Sequence, residues 1–363
     1  MGYTMEKSLT HKIRFSSLEM GRGLAATLVV FHHASTIAGQ DRYFGTPPFH
    51  DIFHTFHVGV DFFFVLSGFI ISWVHWQDIG NRSRLPHYAA RRFTRVLPAY
   101  WAMSLPLMVA YRLFPSTGTP SQHELGTIMT SLILAPYPAP PVLPVAWTLV
   151  YEMTFYTLFA TVIFFGRRAF LAFAGWSILI FATIVMGQVN NWPWGADIPW
   201  PASYLLSDYN LEFLAGILCT VIIRRAPLPK PGLVLAFGTG GFITLMLFLS
   251  PWASPLLYRA GFGLTACLCI IGLVQLEASG KLHVGRFARQ YGSASYSIYL
   301  AHGVAQSFFL SIGWRFMSHL SANFATVILV AFGLLAGFAF HYAIAEPITS
   351  LARRSLKSFI ATA

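Results

Sequence analysis

Residues 18–38, LEMGRGLAATLVVFHHASTIA, decide how this chain is built. The stretch has the length a helix needs to cross a bilayer, ~20 residues. Yet it carries Arg22 and His33, and charge inside an apolar span is expensive and usually functional. The two are eleven residues apart. Eleven steps of about 100° make three turns plus roughly 20°, so both side chains share one helix face, ~16 Å apart along the axis. One face thus holds a fixed cation low in the helix and a titratable imidazole high in it. A ligand linking them is long and anionic at one end. His32 lies about 100° round the helix from His33 and reads as a packing or supporting residue.

The rest of the chain is of the same kind. Of 363 residues, 55% are hydrophobic and 10% charged, against about 25% charged in a soluble domain. The composition predicts an all-α polytopic membrane helical bundle. The net charge of +11 can suit nucleic acid, but the positions of the charges exclude that partner. They cluster between apolar spans, as the positive-inside rule requires. Ten transmembrane spans are predicted, near 18–38, 55–75, 94–114, 146–165, 169–187, 203–224, 232–250, 256–276, 292–312 and 321–347.

Nineteen of the 24 Lys and Arg residues fall on one side, among them Lys7, Lys12, Arg14, the run Arg82 to Arg95, and Arg353, Arg354 and Lys357. Both termini are therefore expected to be cytoplasmic. Residues 1–363 read as a single membrane domain with a core near 16–348 and short tails, and 23–38 as a retained first span rather than a cleaved signal. Cys219, Cys267 and Cys269 lie in apolar spans and read as packing residues, not a disulfide framework. The Pro-rich connection 115–145 contains an apolar segment, 127–135, too short to span, which predicts a re-entrant or interfacial element.

This topology gives each intramembrane polar residue a depth. His33 lies ~22 Å above the inner end of span one, and Glu152 ~9 Å below the outer end of span four, at 1.5 Å per residue. In a core of ~30 Å those depths coincide. His57 and Asp61, spaced i,i+4, fall at a similar level in span two. A carboxylate beside an imidazole can hold its tautomer and stabilise imidazolium; either Asp61 or Glu152 can play that part for His33. Each residue alone also has a structural reading, as interhelical glue. Ser295, Tyr299 and His302 share a face of span nine, as a cavity lining or as ordinary interhelical bonds. Gly68, on the Asp61 face, leaves room for a helix or ligand. Arg91, Arg92 and Arg95 open span three, as topology signals at the lipid headgroups or as a phosphate clamp. No metal site is expected.

These residues together resemble the acyltransferase-3 family of integral-membrane acyltransferases. The Arg22–His33 spacing, GVDFFFVLSGF at 59–69, Arg92 and Arg95 within RRFTRVLPAYW at 91–101, WTLVYEMTFY at 147–156, SYSIYLAH at 295–302 and Glu346-Pro347 resemble its motifs in order. The resemblance runs from about 16 to 348. It implies acyl-CoA, in particular acetyl-CoA, as a co-substrate on the cytoplasmic side, with no permanently bound cofactor. It implies a sugar hydroxyl of a bacterial exopolysaccharide or other surface glycan, or a lipid-linked sugar, as acceptor, and the bacterial inner membrane as location. It implicates His33 in acyl transfer and Arg22, Arg92 and Arg95 in donor binding.

On this basis His33 acts as general base or forms an acyl-His33 intermediate, Asp61 or Glu152 orients it, and Tyr299 or His302 donates to the oxyanion, with Ser295 on the same stripe. The rival expectation is a proton-coupled transporter of an anionic or sugar substrate, in which buried His, Asp and Glu relay protons. The oligomeric state is not legible.

Overall fold

The computed structural model describes residues 15–189, 198–225, 227–249 and 255–362. Lys7, Lys12 and Arg14, on which the predicted orientation partly rests, lie outside them. The described residues are helical, with no strand. The helices are α1 (Ser16–Ala38), α2 (Gly59–Val74), α3 (Leu85–Leu113), α4 (Leu125–Ile133), α5 (Trp147–Phe165), α6 (Ala169–Val189), α7 (Tyr209–Arg225), α8 (Pro231–Phe248), α9 (Pro255–Ala278), α10 (Arg286–Met317), α11 (Ala322–Phe340) and α12 (Glu346–Thr362). Each predicted span overlaps one of the long helices, and the last, 321–347, runs over α11 and the turn that follows it into the start of α12. The short predicted element in the Pro-rich connection is α4, pinned to α3 by Tyr100 OH donating to Ser131 O at 2.8 Å and Trp101 Nε1 to Leu132 O at 2.7 Å.

Among the described residues, six helical segments are long and apolar enough to cross a membrane by length and composition. One of these, Pro144–Val189, contains α5 and α6 and is broken at Gly166, whose φ of 74° favours glycine. The helices α1, α3 and α10 are not among the six. They are the helices that carry Arg22 and His33, the arginine run, and Tyr299 with His302. Their polar residues dilute the apolar signal of the segments that hold them.

Two local boundaries differ from expectation. The α-helical part of span two begins at Gly59, and His54–Val58 forms a 3₁₀ turn before it. The tighter winding of that turn removes the i,i+4 relation assumed for His57 and Asp61. Helix α3 starts at Leu85 rather than near 94, so Arg91, Arg92 and Arg95 lie inside it, two to three turns from its start.

Within lipid, helices associate through close packing rather than through hydrophobic exclusion from water. Helix α10 packs between α1 and α11, α2 lies on α7, and α8 on α9. At the α1–α10 crossing a Cβ on Gly292 would strike the carbonyl of Glu19. That glycine lets the helix bearing His33 approach the helix bearing His302. Gly68 plays the same part for α2, where a Cβ would meet the carbonyl of Phe213 on α7. Val29, Phe64, Tyr100, Phe155 and Leu300 join α1, α2, α3, α5 and α10 into one buried core. Between α11 and α12 the winding loosens to a π-helical segment, His341–Ala345, of a kind often found at functional sites.

Candidate functional site

A cavity of about 890 Å³ runs into the bundle between α1, α2, α3, α5, α10 and α12. Its volume suits a cofactor-sized ligand, for which ~300–1,000 Å³ is usual. Exposed Arg91, Ser293 and Arg353 mark the mouth, and buried Thr148 and Tyr299 mark the inner end. Arg22, Arg92, Arg95 and Glu152, all predicted from sequence, line the wall between. Arg22 is within electrostatic reach of Arg95, Glu152 and Tyr156. Arg92, only 6% exposed, sits over the Tyr156 and Tyr88 rings at 5.4 and 5.9 Å. Its Nε has no hydrogen-bond partner among the described residues. None of the ion pairs formed among those residues involves Arg22, Arg92 or Arg95. Buried guanidinium groups without a carboxylate are costly; an anion entering the cavity offsets that cost.

Glu152 is held by two donors, Ser67 Oγ at 3.2 Å and the Tyr156 hydroxyl, and faces the arginines rather than His33. Asp61 does not reach His33 either. Its carboxylate accepts from Arg259 of α9, and Arg259 also pairs with Asp208 at 2.8 Å and Glu212 at 3.5 Å. The coincident depths of Asp61, Glu152 and His33 therefore reflect axial position only; the three side chains point into different parts of the bundle. His57 donates from Nδ1 to His54 O at 2.6 Å, and its Nε2 meets the Tyr258 hydroxyl at 2.8 Å rather than the Asp61 carboxylate.

The partner of His33 is His302. Nδ1 of His33 lies 2.7 Å from Nε2 of His302, and the rings stack at 5.0 Å. The tautomers follow from one contact. His302 Nδ1 is 2.9 Å from the carbonyl oxygen of Ile298. A carbonyl only accepts, so that nitrogen carries hydrogen, and in neutral His302 the lone pair is on Nε2. His33 must then donate from Nδ1, which leaves its own lone pair on Nε2. A chain of two imidazoles fixed to a backbone carbonyl thus presents a basic nitrogen. His32 holds the loop beside it, with Nδ1 3.1 Å from Phe53 O and its ring 5.3 Å from that of His33.

The remaining stripe residues differ from the oxyanion expectation. The Tyr299 hydroxyl donates to Val145 O at 3.0 Å and lies 2.8 Å from Thr148 Oγ1, which also reaches Val145 O at 3.1 Å. Both hydroxyl protons are used inside this triangle, and the two His302 nitrogens are engaged, Nδ1 by Ile298 O and Nε2 by His33. Neither residue keeps a donor for an oxyanion. Ser295 is fully buried, its hydroxyl has no partner among the described residues, and it does not line the cavity. Tyr299 instead closes the cavity: its ring lies 5.9 Å from His302 on one side and 5.9 Å from Phe63 on the other. His33 and His302 stand just beyond this wall.

Sequence reasoning missed Arg259, Asp208 and Glu212, although the rule that singled out Asp61 applies equally to Glu212 in span six. It also missed Ser67, Tyr156 and His341, which line or support the cavity; His341 Nδ1 lies 3.0 Å from Ser297 Oγ. Ordinary hydroxyl and aromatic residues carry no signal of this kind until neighbours are known.

Residues 15–346 match the family described as an acyltransferase domain. The chain is similar to the exopolysaccharide production protein ExoZ of Rhizobium meliloti (strain 1021), 30% identical over 303 residues, which cover 80% of this chain and 88% of that protein. It is also similar to the putative peptidoglycan O-acetyltransferase YrhL of Bacillus subtilis (strain 168), 28% identical over 280 residues, 68% of this chain but 43% of that longer protein. No solved structure matches. The match covers Arg22, Arg92, Arg95, Glu152 and the histidine pair together, and the chain belongs to the acyltransferase-3 family.

Proposed function

We propose that this protein is an acyl-CoA-dependent O-acyltransferase that moves an acetyl group to a sugar hydroxyl of an exopolysaccharide or other bacterial surface glycan, with His33 as general base. It spans the inner membrane ten times with both termini cytoplasmic. The observation that carries this reading is the cavity, which leads from Arg92, buried and in no ion pair among the described residues, and from Arg22 and Arg95, to the wall beside the His33–His302 pair. Coenzyme A is built in the same order, with phosphates at one end, a pantetheine arm, and the thioester at the other. Arg22, Arg92 and Arg95 hold the phosphates through charge-assisted bonds, and Glu152 holds Arg22 and Arg95 in place. The thioester lies against Thr148 and Tyr299 and meets His33 when the Phe63 and Tyr299 rings shift.

The acceptor enters from the other face, beneath the 115–145 connection. Its hydroxyl oxygen bonds to the thioester carbonyl carbon as its proton passes to His33 Nε2. The carbon–sulfur bond then breaks, and the coenzyme A thiolate takes that proton. His302 is a positioning residue: by accepting from His33 Nδ1 it keeps the lone pair on Nε2 and spreads the charge of the imidazolium. The same lone pair serves an acyl-His33 route. Family membership favours transfer over the transporter reading. The test is to incubate purified protein with acetyl-CoA and measure thiol release with and without surface-glycan fractions. Acceptor-dependent thiol release with an O-acetylated product is expected; no release with any fraction from a cell that carries acetylated glycan overturns the reading.

A further inference from the structure

The C-terminal helix α12 is more than a positively charged tail. Glu346, Thr349, Arg353 and Leu356 recur at i, i+3, i+7 and i+10, the period of one helix face, and all four line the cavity. Helix α12 packs on α3, whose residues His87, Arg91 and Arg95, each four apart, line the same cavity. Two groups of cations result. Arg22, Arg92 and Arg95 lie along the wall. Arg91, the residue before Arg92 and one turn, about 6 Å, from Arg95, is exposed at the mouth, as is Arg353, and both line the cavity. Glu346 sits two turns, about 10 Å, from Arg353 along α12, so it does not neutralise the mouth group.

Resting on the acyl-CoA reading above, we propose that Arg353 and Arg91 form a second anion subsite that takes the 3′-phosphate of coenzyme A. The donor carries two anionic groups in series. Counting from the thioester, the pyrophosphate comes first and the ribose 3′-phosphate second. The cations that line the cavity grade from buried Arg92 and half-buried Arg22 and Arg95 to exposed Arg91 and Arg353, which gives an inner and an outer anion position. Guanidinium forks suit a phosphate monoester at a solvent-exposed mouth. The C-terminal helix, joined through the π-helical segment His341–Ala345, is then a donor-specificity element that distinguishes coenzyme A from carriers without the 3′-phosphate.

The test measures binding of coenzyme A and of 3′-dephospho-coenzyme A to the full chain in neutral detergent, by calorimetry, for the parent and for Arg353→Gln and Arg91→Gln. The parent should bind coenzyme A about tenfold more tightly than the dephospho form, from one charge-assisted contact. Each variant should lose most of that ratio while its affinity for the dephospho form stays unchanged, which also shows that the variant is folded. Equal weakening for both ligands, or no change for either, overturns the subsite and returns the arginines to lipid headgroups. If the parent binds neither ligand, the donor reading itself falls, and the subsite with it.

Discussion

Two polar clusters lie inside this bundle, and they are built on opposite terms. Around Arg259 the charges face one another: one guanidinium engages Asp61, Asp208 and Glu212, and its Cζ also lies 3.9 Å from the centroid of the Tyr209 ring. Around the cavity, Arg22, Arg92 and Arg95 have no carboxylate in an ion pair, and His33 keeps a bare Nε2. Both clusters cost free energy to bury. The first recovers much of it within the protein, so it reads as structure; in the second, Glu152 offsets part of it for Arg22, and a bound anion would supply more, so it reads as a candidate site. Buried charge alone therefore does not mark the site. Charge left unsatisfied beside a cavity does.

The contrast can be broken at several points. The largest effect is expected from His33→Ala, which should lower acyl transfer by about 10²–10⁴-fold, the usual worth of a general base, with thermal unfolding unchanged; a variant that retains full turnover removes His33 from the mechanism. Arg259→Met should act on the other quantity. It leaves three buried acids without their cation and should cost about 3–5 kcal/mol of stability, read as loss of folded protein in a detergent melting experiment. A stable Arg259→Met protein with lost turnover would move that cluster into the active site.

His302→Phe should lower turnover by up to about 100-fold through misplacement of His33. His302→Gln, whose amide oxygen can still accept from His33 Nδ1, should recover part of it, whereas equal loss in both variants would mean that His302 does more than position its neighbour. Arg22→Lys should raise the KM for the donor about tenfold, since an ammonium cannot form the bidentate fork; kcat should stay the same in steady-state kinetics. The smallest effect should come from Asp61→Asn, which removes one of three acids and should leave turnover per folded molecule within about threefold. A loss comparable with His33→Ala would restore Asp61 as the group that orients the base.

Legibility from sequence follows the same division. Helix α1 was predicted over its full observed core, and Arg22, Arg92, Arg95 and Glu152 were each identified and do share one cavity. On spacing alone Arg92 and Arg95 read more readily as surface topology signals, because the extra two to three turns at the start of α3 are polar and carry no apolar period. The pairing of His33 was misassigned to Asp61 or Glu152 because depth was the sole coordinate at hand. His302 was singled out, but for another role.

The one-dimensional chain by itself determined the apolar surroundings, the helical class and which segments are helices. These follow from a fixed rise per residue, a fixed turn angle, and the cost of exposing polar backbone to lipid. Tertiary structure alone decided which helices adjoin: that Gly292 brings α10 against α1, that Arg259 claims Asp61, and that α12 folds back to complete the mouth of the cavity. Lateral order in a bundle depends on side-chain fit between segments far apart in the chain, and no local period encodes it.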